Sequence, residues 1–182
     1  MNDIEVLGLG NVLMGDDAFG PYVIKVLEAG WTFPPNVTVV DAGTPGLDLT
    51  IHLRGRRCVI VADAVRATGA PGEVRLYRKP DILKVAPNLC VSPHEPGLRE
   101  ALMTLEFAGD SAEEVFLAGV IPDGIVYRVG LSEPVQAAVP TVVQAILDEL
   151  ERLGASAVKR QESGVPDIWW EPVAAGDVKG EK

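Results

Sequence analysis

The sequence predicts a three-layer α/β/α fold, in which helices cover both faces of a twisted, mainly parallel sheet of about five strands. Two observations support this prediction. Short apolar runs alternate along the chain with segments whose apolar residues recur at helical spacing, which is the pattern of parallel strands joined by helical crossovers. Several of the runs are also apolar almost throughout, as expected for strands that are buried on both faces of a sheet.

Composition indicates one ordinary globular domain. Of the 182 residues, 47% are hydrophobic and 23% are charged, so a sizeable core can form without disulfides or a structural metal. We assign the domain to residues 1–154 and a C-terminal tail, with no regular periodicity, to residues 155–182. A net charge of −10 opposes binding to nucleic acid or to an anionic membrane. Neither a transmembrane run nor a signal peptide is recognisable, and we therefore expect a cytoplasmic protein.

The strands are predicted from their apolar and β-branched residues. Residues 73–78 alternate in polarity, which is typical of a half-buried edge strand. The other predicted strands are residues 3–9, 37–40, 58–62 and 115–120, with 125–129 as a short extension of the last.

Apolar residues at helical spacing predict four helices. Pro21 suits the first turn of the first helix, where its missing N–H removes no hydrogen bond. Ser132 is the expected N-cap of the last helix, which Pro140 should kink or restart. The predicted helices run from residue 21 to about 30, from 47 to about 55, from 98 to 105 and from 133 to about 154. In the tail, Trp169 and Trp170 are expected to dock on the chain's own surface, with partner binding as the alternative.

The loop between the first strand and the first helix is the best candidate for a functional site. The stretch VLGLGNVLMGDDAFG passes from an apolar run through a glycine-rich turn, with Asp16 and Asp17, into a helix. Open α/β sheets bind ligands in loops that follow the carboxyl ends of their strands. Asp41 and Asp63 end the second and third strands, so parallel pairing would bring these acids to the same edge.

Three residues form a possible metal site at this edge. Asp17, Asp63 and His94, which lies in a loop before a helix, would supply two carboxylates and an imidazole. Such a set suits nickel, zinc, manganese or iron and leaves a coordination position open. Each residue also has a purely structural explanation, because aspartates commonly cap helices and turns and a loop histidine can bond a neighbouring glutamate.

A dinucleotide-binding site is a second interpretation. Gly8 and Gly10 follow a strand, and Asp41 stands where a ribose ligand is expected. However, Leu13 occupies the place of the third glycine, and two carboxylates at the helix N-terminus would repel a pyrophosphate. We therefore favour the metal site.

Cysteine chemistry gives a third interpretation. Cys90 could act as a nucleophile together with His94 and Asp63, although a lone cysteine in an apolar segment is more often a small core residue. Cys58 and Cys90 are far apart in sequence, which argues against a disulfide framework or a zinc ribbon. The other histidine, His52, lies near three arginines that disfavour its protonation and metal binding, and we predict a structural role for it.

Several motifs resemble those of the [NiFe]-hydrogenase maturation endopeptidases. They occur in the family's order and at similar spacing from about residue 4 to about residue 153. The motifs are G-L-G-N-V-L-M-G-D-D-A-F-G, D-A-G-T, A-D-A, S-P-H-E-P-G-L, and A-G-V-I-P-D followed by G-L-S.

The resemblance implies a fold, an activity and a partner. Members of the family have a twisted, mainly parallel sheet between helices, and they remove a C-terminal extension from the hydrogenase large-subunit precursor after nickel insertion. Their metal ligands correspond here to Asp17, Asp63 and His94, which would also be the catalytic residues. Asp16 and Asp41 match common positions whose roles the resemblance does not define.

Two mechanisms are compatible with that resemblance. The three ligands either hold a metal that polarises the scissile carbonyl or activates water, or bind the nickel already present in the substrate. We favour the second, in which nickel gates cleavage and other divalent metals substitute for it in vitro. A non-catalytic chaperone of the large subunit and a nucleotide-binding regulator are the competing functional classes.

Overall fold

A computed structural model describes residues 3–84, 97–162 and 164–171. The strands are β1 (Ile4–Leu9), β2 (Trp31–Thr32), β3 (Val37–Gly43), β4 (Cys58–Ala64), β5 (Val74–Arg78), β6 (Glu114–Val120) and β7 (Val158–Lys159). The helices are α1 (Phe19–Gly30), α2 (Leu49–Leu53), α3 (Lys79–Lys84), α4 (Leu98–Ala108) and α5 (Glu133–Arg152). Short 3-10 turns, Gly15–Ala18 and Gly46–Asp48, precede α1 and α2.

The central sheet has five strands in the order β3-β1-β4-β6-β5. β1 pairs in parallel with both β3 and β4, and β4 pairs in parallel with β6. β5 is the antiparallel edge strand. The predicted mainly parallel sheet is confirmed, and so is the edge position of residues 73–78. The carboxyl ends of β1, β3, β4 and β6 therefore lie along one edge of the sheet, here called the carboxyl edge.

Helices cover both faces of the sheet. α1 and α5 pack on one face, where Phe19, Ile24 and Ile146 are fully buried. The helices α2, α3 and α4 supply core residues such as Leu53 and Leu102 on the other face. This confirms the three-layer prediction. No helix within the described part of the chain combines the length and apolarity needed to cross a membrane.

Two local predictions differ from the structure. Residues 125–129 do not extend β6; Arg128 instead forms an isolated bridge with Met14. That prediction is wrong because the pattern of β-branched residues indicates extended backbone but cannot identify its partner. α5 also runs without interruption through Pro140, so the helix does not restart there. Pro140 is exposed, and its ring therefore does not disturb the packed face of the helix.

The described part of the tail is attached through its backbone as well as through a tryptophan. β7 pairs with β2 in an antiparallel arrangement, and the Arg160 and Gly164 N–H groups donate to carbonyls at the end of α1. Trp170 is buried, whereas Trp169 is 68% exposed and meets it edge to face at 5.6 Å. Docking on the chain's own surface therefore holds for Trp170 but not for Trp169.

Close contact between α1 and the sheet depends on Gly20. A Cβ atom at this position would lie 2.2 Å from the Leu9 carbonyl oxygen and 2.5 Å from the Ala62 carbonyl oxygen. Both atoms belong to the backbone of central strands, so neither can move without disturbing the sheet. The absence of a side chain at Gly20 therefore lets the start of α1 lie directly on the carboxyl ends of β1 and β4.

Substituting Gly20 with alanine should destabilise the protein by about 3 kcal/mol or more, because the added methyl group must push α1 away from the sheet. Gly30→Ala is the matched control in the same helix, since a Cβ there meets no atom within 4 Å. We expect this control to be neutral or slightly stabilising. Urea unfolding of the two variants measures the difference, and equal midpoints would contradict the packing role of Gly20.

Candidate active site

Three hydrogen bonds that involve Asn11 close the first loop. Its side-chain Oδ1 accepts from the Leu13 N–H at 3.0 Å, and its carbonyl accepts from the Met14 N–H at 3.0 Å. Its own N–H donates to Asp17 Oδ2 at 2.8 Å. The loop thus turns back on itself and presents the 3-10 turn Gly15–Ala18 at the carboxyl edge.

Asp16 and Asp17 point to different surroundings although they are adjacent. The Asp16 side chain is completely buried. Its Oδ1 accepts from the Ser132 N–H at 2.6 Å. Its Oδ2 accepts from the Ser132 hydroxyl at 2.9 Å and from the N–H groups of Asp123 and Gly124 at 2.8 and 3.2 Å. Asp16 therefore has the environment of a structural residue, which resolves the role that the sequence leaves open.

These bonds attach the segment 123–132 to the first loop. The Arg128 N–H donates to the Leu13 carbonyl at 3.1 Å, and the Gly15 N–H donates to the Arg128 carbonyl at 2.7 Å. The Arg128 guanidinium also lies 3.6 Å from Asp16 Oδ1. Ser132 does occupy the N-cap position of α5, but its side chain bonds Asp16 instead of capping the helix.

The Asp17 carboxylate is buried, and few neighbouring groups stabilise its negative charge. It is 7% exposed, and its Oδ2 accepts the Asn11 N–H. Burial raises the pKa of Asp17 above its ordinary value, and the hydrogen bond from Asn11 opposes that shift. Among the described residues, no basic side chain forms an ion pair with it. A cation would therefore be bound favourably at this carboxylate.

Asp63 lies at the same edge. It is the penultimate residue of β4, half-buried, and opposite Gly119 of β6. The turn that carries Asp17 contacts β4, and the close approach of Gly20 to the Ala62 carbonyl places that turn beside the end of the strand. The structure therefore brings Asp17 and Asp63 to one edge of the sheet, as predicted.

The third predicted ligand, His94, lies outside the described residues, as does Cys90. No group of three or more His, Cys, Asp and Glu side chains suited to a metal occurs within residues 3–84, 97–162 and 164–171. The chemistry of Asp17 and Asp63 nevertheless fits a divalent metal, because two carboxylates at one edge supply negative charge without an ion-paired partner at Asp17. The complete set of Asp17, Asp63 and His94 stays a prediction.

The glycine pair of the first loop has a packing explanation. Gly10 has a φ of +137°, and a Cβ there would lie 1.7 Å from the Asp17 carbonyl oxygen. The loop therefore closes on its own backbone where a dinucleotide site would leave room for a pyrophosphate. Asp41, the proposed ribose ligand, uses Oδ1 to accept the Gly43 N–H at 3.1 Å. These contacts favour the interpretation that the glycines permit tight packing.

The remaining titratable candidates lie at the opposite edge. His52 Nδ1 lies 2.5 Å from Oε1 of the buried Glu5, whose Oε2 is 2.6 Å from Arg56. Glu5 compensates the positive charge that the sequence places around His52, and the structural role predicted for His52 fits this cluster. Cys58 opens β4 at that edge, and burial raises the pKa of its thiol to about 12, so it is not a nucleophile at neutral pH.

Sequence reasoning missed two contributors to the site. Asn11 organises the first loop, and its signal is the Gly-Asn pair directly after a strand, a common start of a side-chain-bonded turn. Arg128 links the 123–132 segment to the first loop through its backbone. No local pattern could have identified that link, because the partners are more than a hundred residues apart.

Known proteins with similar sequences include a hydrogenase maturation protease and several hydrogenase expression/formation proteins. A family model described as hydrogenase maturation protease (HycI) matches residues 21–149, a range that includes Asp63 and His94 and begins after Asp17. The hydrogenase 2 maturation protease of Escherichia coli K12 is 33% identical over 159 residues, which cover 87% of this chain and 96% of that protein. The hydrogenase expression/formation protein HoxM of Azotobacter vinelandii is 31% identical over 87% of this chain and 77% of its own length.

Comparison with solved structures identifies proteins of the same kind. The hydrogenase maturating endopeptidase HybD from E. coli superposes with a TM-score of 0.78 at 32% identity, covering 86% of this chain and 97% of that chain. A hydrogenase 2 maturation peptidase from a Thaumarchaeota archaeon has a TM-score of 0.60 at 34% identity, covering 83% of this chain and 97% of that chain. The chain therefore has the same overall fold as these solved structures.

Proposed function

The chain belongs to the hydrogenase maturation protease family, and we propose that it removes the C-terminal extension of a [NiFe]-hydrogenase large-subunit precursor after nickel insertion. It is accordingly a hydrolase of the endopeptidase type. The reaction adds the elements of water across one peptide bond, leaving a new carboxyl terminus on the large subunit and a released peptide. We place this reaction in the cytoplasm.

In this proposal the nickel of the precursor is part of the substrate. Asp17, Asp63 and His94 bind it, so that a correctly loaded precursor is held with its C-terminal extension at the carboxyl edge. Two carboxylates and an imidazole are suitable ligands for nickel and for other divalent transition metals. The ion would supply positive charge near the scissile carbonyl, which favours attack by water.

The proposal of nickel recognition rests on the burial of Asp17 and on its lack of a positively charged partner among the described residues. Its carboxylate is buried and lacks an ion-paired cation within the described residues, and desolvation raises its pKa. A buried carboxylate in this condition is costly for the free protein. A metal ion brought by the substrate offsets that cost, so binding energy is gained only when the precursor is loaded.

Neither Ser132 nor Cys58 is suited to act as a nucleophile at this edge. The Ser132 hydroxyl donates to the buried Asp16 carboxylate, and Cys58 lies at the opposite edge with a pKa of about 12. Water is the nucleophile in the proposal. A non-catalytic chaperone of the large subunit is the competing function, and it predicts that Asp17→Asn and Asp63→Asn still permit removal of the extension.

The test uses gel mobility of a large-subunit precursor, with and without nickel, after incubation with the protein. We expect a slightly smaller product only with the nickel-loaded precursor. His94→Ala should abolish the shift. The chain contains two histidines, so His52→Asn is the matched control, and its side-chain amide can donate to Glu5 as Nδ1 does. This control should process normally.

Each alternative outcome has a definite meaning. Equal cleavage of nickel-free precursor by the metal-free protein would refute nickel recognition while leaving the protease function intact. Cleavage that survives His94→Ala would refute the proposed ligand set. Tight binding of precursor without any cleavage would favour the chaperone.

A further inference from the structure

An exposed apolar surface lies beside the candidate active site, on the two segments that Asp16 holds together. Four of its apolar side chains are large and solvent-exposed. They are Leu13, Val126, Tyr127 and Val129. Tyr127 is 84% exposed. We call this set the edge patch.

The edge patch is continuous with the loop that carries Asp17. Leu13 precedes the 3-10 turn by two residues, and its carbonyl accepts the Arg128 N–H at 3.1 Å. The Gly15 N–H completes the bridge by donating to the Arg128 carbonyl. Backbone pairing thus fixes the patch next to the turn Gly15–Ala18. A polypeptide that reaches Asp17 at the carboxyl edge would therefore lie close to these side chains.

The segment that carries most of the edge patch has no acidic side chain. The chain has 26 acidic residues, but the segment 125–131, with the sequence IVYRVGL, has none. Its one charged side chain, Arg128, lies 3.6 Å from Asp16 Oδ1, which partly compensates it. An apolar surface without acidic residues in an otherwise acidic protein favours an apolar polypeptide over a cation or a nucleic acid.

We propose that the edge patch binds an apolar stretch of the large-subunit precursor next to the bond that is cut. The proposal rests on the proposed function, which supplies the precursor as substrate. Four side chains are too few for a stable dimer of this chain, since such interfaces bury about 800 Å² on each partner. They do suit a short extended peptide, which gains affinity by burying a few apolar side chains around one aromatic residue.

The test compares processing of nickel-loaded precursor by the full-length protein and three variants. Tyr127→Ser together with Val126→Ser removes the two most exposed side chains of the edge patch, and Leu13→Ser changes the other segment independently. Phe107→Ser is the matched control, because Phe107 is 97% exposed near the end of α4, at the opposite edge. Thermal unfolding of each variant verifies that it is folded.

We expect the double variant to raise KM at least about tenfold, as for the loss of an aromatic contact at an interface centre, with kcat at saturation within about twofold of the unmutated protein. Leu13→Ser should raise KM in the same direction, and Phe107→Ser should leave both parameters unchanged. If the unmutated protein does not process the precursor at all, the proposed function itself fails and the inference with it.

Other outcomes overturn the inference alone. Processing by the unmutated protein with an unaltered KM in the double variant would show that the edge patch does not contact the precursor. A fall in kcat without a change in KM would assign these residues to the geometry of the site. A dimer that the double variant dissociates, with KM unchanged, would identify the patch as a contact between copies of this chain.

Discussion

Asp17→Asn should reduce the rate of precursor processing at least about a hundredfold, because even the outer partners of metal ligands change metal affinity or activity by about 10- to 100-fold. Asparagine has nearly the same shape and can still accept the Asn11 N–H through its side-chain oxygen. It lacks the negative charge that a divalent cation requires. A time course of product formation from nickel-loaded precursor measures the effect.

The same substitution should not lower stability. Desolvation raises the pKa of Asp17 above its ordinary value of 3.8, so the folded protein binds this proton more tightly than the unfolded chain does. Ionisation of Asp17 therefore costs free energy of folding as pH rises through the two values. An uncharged asparagine side chain avoids that cost, and the variant should melt at the same temperature as the unmutated protein or higher at neutral pH. The difference should vanish well below pH 3.8.

The matched control is Asp148→Asn, an exposed aspartate on α5. It removes the same charge from the chain without touching the carboxyl edge, so processing and melting temperature should stay near those of the unmutated protein. A large loss of stability in Asp17→Asn would instead show that the negative charge of Asp17 stabilises the fold. Normal processing by that variant would exclude Asp17 from the site.

Much of the fold follows from local patterns. Continuous apolar runs predict buried parallel strands, and four helical segments agree with the structure to within a few residues for α1, α2, α4 and α5. The pairing of β2 with β7, by contrast, could not be predicted from local patterns. Each partner is two residues long, and their attachment depends on tertiary packing that no periodicity expresses.

The candidate site could likewise be predicted from the sequence only in part. Strand order brings Asp17 and Asp63 to one edge, and this follows from the rule that parallel strands share their carboxyl ends. The different roles of Asp16 and Asp17 do not follow from sequence, because two adjacent acids in a loop look alike. They differ in what packs on them: segment 123–132 covers Asp16, whereas Asp17 faces the edge with the Asn11 N–H as its donor.

Asp16→Ala should be the most destabilising aspartate substitution at the carboxyl edge. The buried carboxylate accepts four hydrogen bonds from Ser132, Asp123 and Gly124, and alanine would leave those donors buried without acceptors. Breaking a buried charged network of this kind costs about 3–5 kcal/mol. For a chain of this length we expect a fall in melting temperature of about 10 °C.

Asp81→Ala is the appropriate control for Asp16→Ala, since Asp81 is exposed and its Oδ2 accepts the Arg78 N–H at 3.1 Å. It should cost about 1 kcal/mol or less. A melting temperature for Asp16→Ala within about 2 °C of the unmutated protein would contradict the structural role of Asp16. Because segment 123–132 also carries most of the edge patch, Asp16→Ala should raise KM as well. Asp17→Asn should lower the rate without loosening the loop, so the two adjacent aspartates are separable by experiment.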